Sequence, residues 1–363
     1  MSENFGYSGP PPAQQPAYSI PPPPPARTPD RKRSCLVWTL VSLIVLGLFG
    51  VAFVIVVAAA MGEGASSFAA ADGGDSRFQE KTIGGKGPDK IVVIPIEGVI
   101  SDSPGLNSTV GLTEARLKKA AQDSRVKAVI LRVDSPGGGV TASDILYHRI
   151  KGYKDETGDP VVACMMDIAA SGGYYASAPA DSIVAHQTTI TGSIGVVMMM
   201  FDATGLMQKI GVRSASVASG EFKQIGSPIA EKSAAQREKE QELLKGLVRQ
   251  MHERFVDVIA EGRKGKMEPH EVRAIADGRI FSATEALNHK LIDRIGYFED
   301  AVNEAETLAG ISGAKVVEYE RVISLRDFFA AKSSAPKVSL DMGIPGSEFF
   351  RGPRLMYLWT PTE

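Results

Sequence analysis

Residues 160–200 read PVVACMMDIAASGGYYASAPADSIVAHQTTITGSIGVVMMM, and this stretch decides the fold. Its apolar run at residues 161–166 predicts a buried β-strand. A corner of small residues follows, with Ser171 ahead of two glycines, and the Ala/Tyr-rich segment up to Pro179 predicts a short helix. A serine at such a turn is often only a helix cap. The alternative is a reactive hydroxyl, because the adjacent glycines let a substrate backbone come close.

The same order of buried strand, glycine corner and helix recurs along the chain. Apolar strands are predicted at residues 90–100 and 126–133, and the second ends in DSPGGG at residues 134–139, before an amphipathic helix. Buried strands that alternate with helices predict an α/β layered fold with largely parallel pairing. A long charged helix is predicted at residues 234–261, and a last strand near residues 314–320.

Two apolar features are predicted to pack against the folded body or against a neighbouring subunit. One is a cluster in the C-terminal tail, at residues 355–359. The other is a stripe at helical spacing along the long charged helix. Its members are Leu243, Leu244, Leu247, Met251 and Phe255.

Composition excludes several classes of protein. A net charge of -2 with 23% charged residues gives no global electrostatic reason to expect a nucleic-acid partner. The two cysteines, Cys35 and Cys164, form no disulfide framework, because the second lies inside a buried apolar run. No Cys or His pair has the spacing of metal ligands, so we expect neither a metal nor a cofactor.

The first 61 residues have the composition of a tail followed by a membrane anchor. Residues 1–34 are rich in proline and poor in aliphatic side chains, which predicts a disordered tail. Residues 36–60 carry no charge, and at about 1.5 Å per helical residue they exceed the roughly 30 Å hydrocarbon core of a bilayer. The basic residues ahead of this segment predict a cytoplasmic N-terminus, with the remainder of the chain across the membrane.

We interpret residues 35–61 as an uncleaved, single-pass transmembrane anchor. A cleaved signal peptide is the alternative, since three alanines at residues 58–60 offer a cleavage site, although its apolar core is usually about 7–15 residues long. The Gly/Ser/Ala/Asp-rich residues 62–88 are predicted to be a flexible tether. The main folded domain is then expected at residues 89–323, followed by a C-terminal tail at residues 324–363.

A reactive serine needs partners, and the sequence offers candidates for them. Successive backbone N–H groups of a glycine run after a strand can bind a substrate oxyanion, and the triple glycine at residues 137–139 is such a run. No histidine has a suitable context as the base; His186 is the nearest and reads as an ordinary core or surface residue. A lysine can serve as the base if it is neutral. Lys223 lies in a polar loop flanked by glycines, where alone it would be an ordinary surface lysine.

Together these passages resemble the signal peptide peptidase A (protease IV) family, membrane-anchored serine proteases of the ClpP/crotonase-like superfamily. The resemblance covers about residues 90–320, and a later segment, ADGRIFSATEALNHKLIDRIG at residues 276–296, also fits. Four passages carry it in order: DSPGGGV (134–140), AASGGYYAS (169–177), TGSIGV (191–196) and GEFKQIGSP (220–228). The resemblance implies a ClpP/crotonase-like layered fold with repeated ββα-type units, preceded by one transmembrane helix.

The resemblance also implies a role for each matching residue. Ser171 matches the nucleophile, Lys223 the general base, and Ser193 the serine that hydrogen-bonds the lysine amine. The backbone N–H groups of Gly138 and Gly172 match the oxyanion hole. Only one set of motifs is present, which implies the short form of the family and a ring-like homo-oligomer whose neighbouring subunits complete each site.

The implied function is cleavage of residual signal peptides and other membrane-associated polypeptides through an acyl-enzyme. The catalytic domain is expected on the periplasmic or extracytoplasmic side of the inner membrane. Two alternatives stay open: a catalytically inactive membrane scaffold of the same fold, and a crotonase-like acyl-CoA enzyme. The exported topology argues against the second, because acyl-CoA chemistry is cytosolic.

Overall fold

The structure is a computed structural model, and it describes residues 46–47, 77–103, 108–322 and 354–359. The chain divides into two units, Met1–Gly73 and Gly74–Glu363. Of the first unit only Leu46 and Gly47 are described, both helical, so the predicted tail and anchor lie almost wholly outside the described residues. Within the described ranges no helix has the length and apolar composition of a membrane span.

The second unit alternates strands and helices. Its described strands are β1 Phe78–Gly84, β2 Lys90–Glu97, β3 Val126–Ser135, β4 Gly137–Gly139, β5 Val161–Ala170, β6 Ser182–Ala185, β7 Ile190–Gly192, β8 Val197–Met199, β9 Ile280–Ser282, β10 Arg294–Ile295, β11 Lys315–Arg321 and β12 Arg354–Leu358. Its described helices are α1 Thr109–Gln122, α2 Val140–Thr157, α3 Gly172–Ser177, α4 Thr204–Lys209, α5 Ala234–Gly262, α6 Pro269–Ile275, α7 Ala283–Asn288 and α8 Phe298–Ala309. The strands, the long helix and the α/β alternation predicted from the sequence are confirmed.

The main sheet has the strand order β1-β11-β2-β3-β5-β6-β10, and β7 joins it between β5 and β9. Pairing is parallel except between β1 and β11 and between β7 and β9. Side chains alternate between two buried layers: Val92 and Ile94 belong to one core, and Ile91 and Val93 to the other. This burial on both faces is why the central strands read as continuous apolar runs.

The sheet begins earlier than the sequence indicated. Part of the predicted tether, residues 62–88, is the edge strand β1, which pairs with β11. Most of β1 is solvent-accessible, with Phe78 buried at its start and Lys81 paired to Glu320 across the strands. A strand with so little buried apolar surface leaves no hydrophobic run in the sequence, and charged residues are common on sheet edges.

A second sheet of three short strands has the order β4-β12-β8. Its central strand, β12, comes from the C-terminal tail, so the prediction that the apolar cluster at residues 355–359 packs on the body is confirmed. The stripe on α5 divides: Leu244 and Phe255 are buried, whereas Leu243 and Leu247 are exposed. The N-terminal half of α5 thus presents apolar side chains to its surroundings.

Candidate active site

Ser171 lies at the turn between β5 and α3, in a strained conformation. Its backbone has φ 54° and ψ -115°, a region that residues with a Cβ rarely adopt. Its N–H donates to the carbonyl of Gly192 at 2.8 Å, and its own carbonyl accepts from the N–H of Tyr175 at 2.9 Å. Such a conformation costs about 1–3 kcal/mol and persists only where the surroundings impose it, as they do at many active sites.

The hydroxyl of Ser171 is buried without a hydrogen-bond partner among the described residues. Only 1% of the residue is exposed, and no described donor or acceptor reaches its Oγ. Ser177, six residues along the same turn and helix, is equally buried but donates to the carbonyl of Gly173 at 2.8 Å. A buried polar group normally has a partner, so Ser171 belongs to the small set of described residues, with Thr113 and His186, whose buried polar atom lacks one.

In the glycine corner at residues 137–139, one backbone N–H group points away from the neighbouring residue Ile100. The carbonyl of Gly137 accepts from Ile100 N–H at 2.8 Å, and Gly139 N–H donates to the carbonyl of Ile100 at 3.0 Å. Since successive peptide groups in a strand point to opposite sides, the N–H of the intervening Gly138 faces β12. A Cβ on Gly138 would lie 2.0 Å from the carbonyl oxygen of Ile100, so only glycine fits there.

Gly172 brings a second N–H group to the same place. A Cβ built on Gly172 would lie 3.1 Å from the backbone nitrogen of Gly138. A Cβ built on Gly137 would lie 2.7 Å from the nitrogen of Gly172. As the first residue of α3, Gly172 makes no intrahelical bond with its N–H. The two predicted oxyanion donors, Gly138 and Gly172, are therefore close in space, and Gly172 directly follows the predicted nucleophile.

Ser193 is also brought to this corner. β5 and β7 pair in parallel with Ala170 opposite Gly192, which places Ser193 beside Ser171. Ser193 is buried, has φ 50°, and donates its N–H to the carbonyl of Arg279 at 2.7 Å. Two neighbouring residues with Cβ atoms thus hold positive φ values, which concentrates backbone strain at one point of the sheet edge.

Lys223 has no hydrogen bond to any described residue of this cluster. It lies in a turn at residues 221–226 and is exposed. No hydrogen bond or ion pair joins its Nζ to any described residue. The turn itself is anchored by Lys232, whose Nζ donates to the carbonyl of Gln224 at 2.7 Å and to Glu240 Oε2 at 2.6 Å. With side chains only 11% exposed, Lys232 and Glu240 form a nearly buried ion pair that no motif in the sequence signals.

Among the described residues, His186 and Cys164 are two further reactive side chains, and neither contacts Ser171. His186 follows β6 beside β5 residue 166, five residues and about 16 Å along the strand from Ser171. Its ring packs edge-on against Tyr297. Burial raises the pKa of the Cys164 thiol to about 12. Among the described residues, no group of three or more His, Cys, Asp or Glu could hold a metal ion.

A strained serine at a strand-to-helix turn, with two glycine N–H groups beside it, is the kind of site that a serine hydrolase uses. Comparison with known proteins shows to which family of serine hydrolases the chain is similar. The pattern of Peptidase family S49 matches residues 154–312. A protein of Enterococcus faecium, provisionally assigned as signal peptide peptidase SppA, is 36% identical over 256 residues, which are 68% of this chain and 72% of that protein. The chain therefore belongs to the signal peptide peptidase A family and is a serine peptidase.

Other relatives are matched over less of their length. Protease 4 of Haemophilus influenzae is 37% identical over 225 residues, 61% of this chain and 35% of that protein. The chloroplastic serine protease SPPA of Arabidopsis thaliana is 33% identical over 231 residues, 62% of this chain and 33% of that protein. The chain thus spans about a third of these two relatives. The solved structure of a ClpP1 point mutant from Listeria monocytogenes matches 58% of this chain and 94% of its own, with a TM-score of 0.38 and 16% identity.

Proposed function

We propose that this protein is a membrane-anchored serine endopeptidase in which Ser171 is the nucleophile and Lys223 the general base. The observation that carries the proposal is the strained, buried and unpartnered hydroxyl of Ser171 beside the N–H groups of Gly138 and Gly172. A hydroxyl without competing hydrogen bonds is free to meet a base and a carbonyl carbon. The adjacent N–H groups are the donors that a tetrahedral oxyanion needs.

In the proposed reaction, the neutral amine of Lys223 takes the proton of Ser171 as Oγ attacks a peptide carbonyl carbon. The oxyanion accepts from Gly138 and Gly172, and the C–N bond breaks as the lysine returns the proton to the leaving amine. Water, activated by the same lysine, then hydrolyses the ester and frees the serine. The hydroxyl of Ser193, beside Ser171, forms a hydrogen bond with the lysine amine and holds it in place.

The exposure of Lys223 in the single chain supports a homo-oligomer. A lysine that is neutral near neutral pH needs desolvation, which an exposed turn does not supply. Exposed apolar side chains surround this part of the chain, and a packed neighbour would cover them. They include Met200, Phe201, Phe222, Ile229, Leu243 and Leu247. We propose that neighbouring copies pack here, desolvate the lysine and complete each site.

The proposed substrates are residual signal peptides and other membrane-associated polypeptides. The names of the relatives support this substrate class, and the uncharged segment at residues 36–60 supports an anchor that would place the domain next to them. The proposed location is the inner membrane, with the N-terminus cytoplasmic and the catalytic domain extracytoplasmic. Deleting residues 35–61 should move the protein from the membrane fraction to the soluble fraction, whereas a chain that stays with the membrane would contradict the anchor.

A fluorophosphonate probe tests the serine and the lysine together. The full chain in mild detergent should be labelled at Ser171, and Ser171→Ala should abolish the labelling. Lys223→Ala should slow labelling by about 10²–10⁴, the usual contribution of a general base. Lys239→Ala is the matched control, because Lys239 is exposed nearby and pairs with Glu221. Labelling of the Ser171→Ala chain at the wild-type rate would refute the proposal, and a folded chain without any labelling would favour the inactive scaffold.

A further inference from the structure

The buried side chain of Tyr174 ties helix α3 to a loop that is distant in the sequence. Tyr174 is the third residue of α3, and it is fully buried. Its hydroxyl donates to the carbonyl of Leu291 at 2.6 Å. Gly172, two residues before Tyr174, carries one of the two proposed oxyanion donors. The place of that N–H group is therefore set in part by the position of Leu291.

The loop at residues 289–293 is held in turn by Arg263. Only 1% of Arg263 is exposed, and its Nε donates to the carbonyl of Lys290 at 2.9 Å. Lys290 has φ 61°, and the other described residues that combine a Cβ with a positive φ are Ser171 and Ser193. Such backbone is costly for a residue with a Cβ and persists where the surroundings impose it. The hydrogen bond from Arg263 is one contact that imposes it on the loop.

A buried ion pair fixes the other end of the Arg263 side chain. Nη1 and Nη2 of Arg263 donate to Oδ2 and Oδ1 of Asp293, both at 2.9 Å. Asp293 also accepts from the N–H of Ile183 on β6 and donates its own N–H to the carbonyl of Ile183, each at 2.8 Å. Strand β6 pairs with β5, which leads into Ser171. Because a bidentate arginine–carboxylate pair has a defined geometry, it fixes the loop relative to these strands.

The end of helix α5 also contacts the end of α3 directly. A Cβ built on Gly262, the last residue of α5, would lie 2.0 Å from the carbonyl oxygen of Ala178, which follows α3. Arg263 is the next residue of the chain, so one helix end supports α3 both directly and through Tyr174. Helix α3 has six residues, and a helix of that length is not stable alone. Contacts from outside α3 therefore decide its orientation.

From these contacts we infer that Arg263, Asp293 and Tyr174 are positioning residues for the proposed oxyanion hole. Together with Leu291 they form the Arg263 network, which orients α3 and so the N–H of Gly172. The network touches no reacting atom and acts on the reaction through the backbone of α3. This inference rests on the proposed function, because it concerns one of the two proposed oxyanion donors.

Tyr174→Phe tests the network, because it keeps the ring and removes only the hydrogen bond to Leu291. Fluorophosphonate labelling of the full chain in mild detergent measures the effect, since the phosphonyl oxygen of the probe needs the same donors as an oxyanion. The maximal labelling rate should fall about 5- to 20-fold, a part of the roughly 10²–10³ that a lost donor costs. The probe concentration that gives half of this rate should change less than about twofold, because the binding surface is unchanged.

Tyr153→Phe is the matched control. Tyr153 is also buried, and its hydroxyl donates to Asp159 at 2.9 Å, but both residues belong to the C-terminal end of α2 and neither bonds to α3. Each variant loses one buried hydrogen bond, so each should lower the melting temperature by about 1–5 °C. Only Tyr174→Phe should slow labelling. Equal labelling rates for the two variants would mean that the network stabilises without positioning, and would overturn the inference.

A double-mutant cycle tests whether Arg263 acts through Tyr174. Arg263→Met should slow labelling about tenfold or more, and adding Tyr174→Phe should slow it no further, because both changes break one series of contacts. Effects that multiply instead would overturn the route through Leu291. Lys266 also donates to Asp293 and keeps that carboxylate paired in the variant. If Arg263→Met does not fold, Asp293→Asn, which keeps the shape of the side chain, replaces it in the same cycle.

Hydrogen exchange separates this inference from the proposed function. Deuterium uptake at residues 171–178 of the native full chain, read by mass spectrometry after quenched digestion, needs no reaction at the site. Faster uptake in Tyr174→Phe than in Tyr153→Phe supports the hold on α3 even if the wild-type chain is not labelled, in which case only the peptidase proposal fails. Equal uptake in the wild-type chain and both variants overturns the inference, even if Ser171 is labelled.

Discussion

Replacing Ser171 should stabilise the protein while it abolishes activity. Its buried Oγ has no described partner, and leaving a buried polar group unpaired costs about 1–3 kcal/mol. Ser171→Ala removes that group and should raise the free energy of unfolding by about 1–2 kcal/mol. Ser171→Gly also relieves a strain of about 1–3 kcal/mol at φ 54°, less about 0.5–1 kcal/mol for the entropy of glycine, so it should gain about 2–3 kcal/mol.

The matched control is Ser177→Ala, a few residues along the same helix. Its hydroxyl is just as buried but is hydrogen-bonded to Gly173, so its loss should destabilise the chain by about 0.5–1.5 kcal/mol. Thermal unfolding of the full chain in detergent measures all three variants under one condition, and about 2 °C per kcal/mol is expected for a domain of this size.

The sign of the change decides the matter. Opposite signs for the two serine-to-alanine variants would show that the unpaired hydroxyl of Ser171 lowers stability and is retained for function. If Ser171→Ala instead lowers the melting temperature as Ser177→Ala does, Oγ of Ser171 has a stabilising partner and the reasoning is refuted. If Ser171→Gly is no more stable than Ser171→Ala, the positive φ carries no strain.

Three further outcomes follow from buried groups away from the serine. Lys232→Met should leave Glu240 as an unpaired, nearly buried charge, cost about 3 kcal/mol in urea unfolding and slow fluorophosphonate labelling; Lys239→Met should do neither. Partial burial alone would raise the pKa of Asp123, but the hydrogen bonds that it accepts, the strongest from Lys90, outweigh burial and lower its pKa to about 2. Asp123 should therefore contribute about 1–2 kcal/mol to the free energy of unfolding above about pH 4, and this contribution should be lost as the pH falls toward 2. Asp123→Asn should accordingly make the free energy of unfolding depend less on pH between pH 2 and 6. In a Cys35→Ser chain, the buried thiol of Cys164 should resist Ellman's reagent at pH 8 until the protein is unfolded; rapid reaction in the native state would contradict its burial.

The layered α/β body could be predicted because burial on both faces of a parallel sheet writes continuous apolar runs into the sequence. β2, β3 and β5 show such runs, and each is followed by a helix with its own periodicity. The edge strand β1 could not be found in this way, since after Phe78 its side chains face solvent or an ion pair rather than the core. Its partner β11 lies more than 230 residues away, so no local pattern signals the pairing.

The site could be predicted only in part, and for a physical reason. Ser171, the glycines and Ser193 lie at neighbouring strand ends, where parallel pairing necessarily brings them together. Their turn chemistry is local, so short motifs carry it. The aromatic cluster of Tyr175, Phe255 and Tyr357 is not local, because its three rings come from α3, α5 and β12. The cluster at residues 355–359 signalled only that the tail would pack somewhere, because apolar composition does not specify a partner.

The two residues of the proposed catalytic pair differ in exposure within one chain: Ser171 is buried and Lys223 is exposed. Ser171 is strained and buried within one chain, and the sheet fixes the N–H groups of Gly138 and Gly172 beside it. Lys223, in contrast, lies in an exposed turn. Lys232 anchors this turn by a hydrogen bond to the carbonyl of Gln224, and exposed apolar side chains flank it. A rigid serine paired with a lysine that is desolvated only on assembly would confine proteolysis to the oligomer.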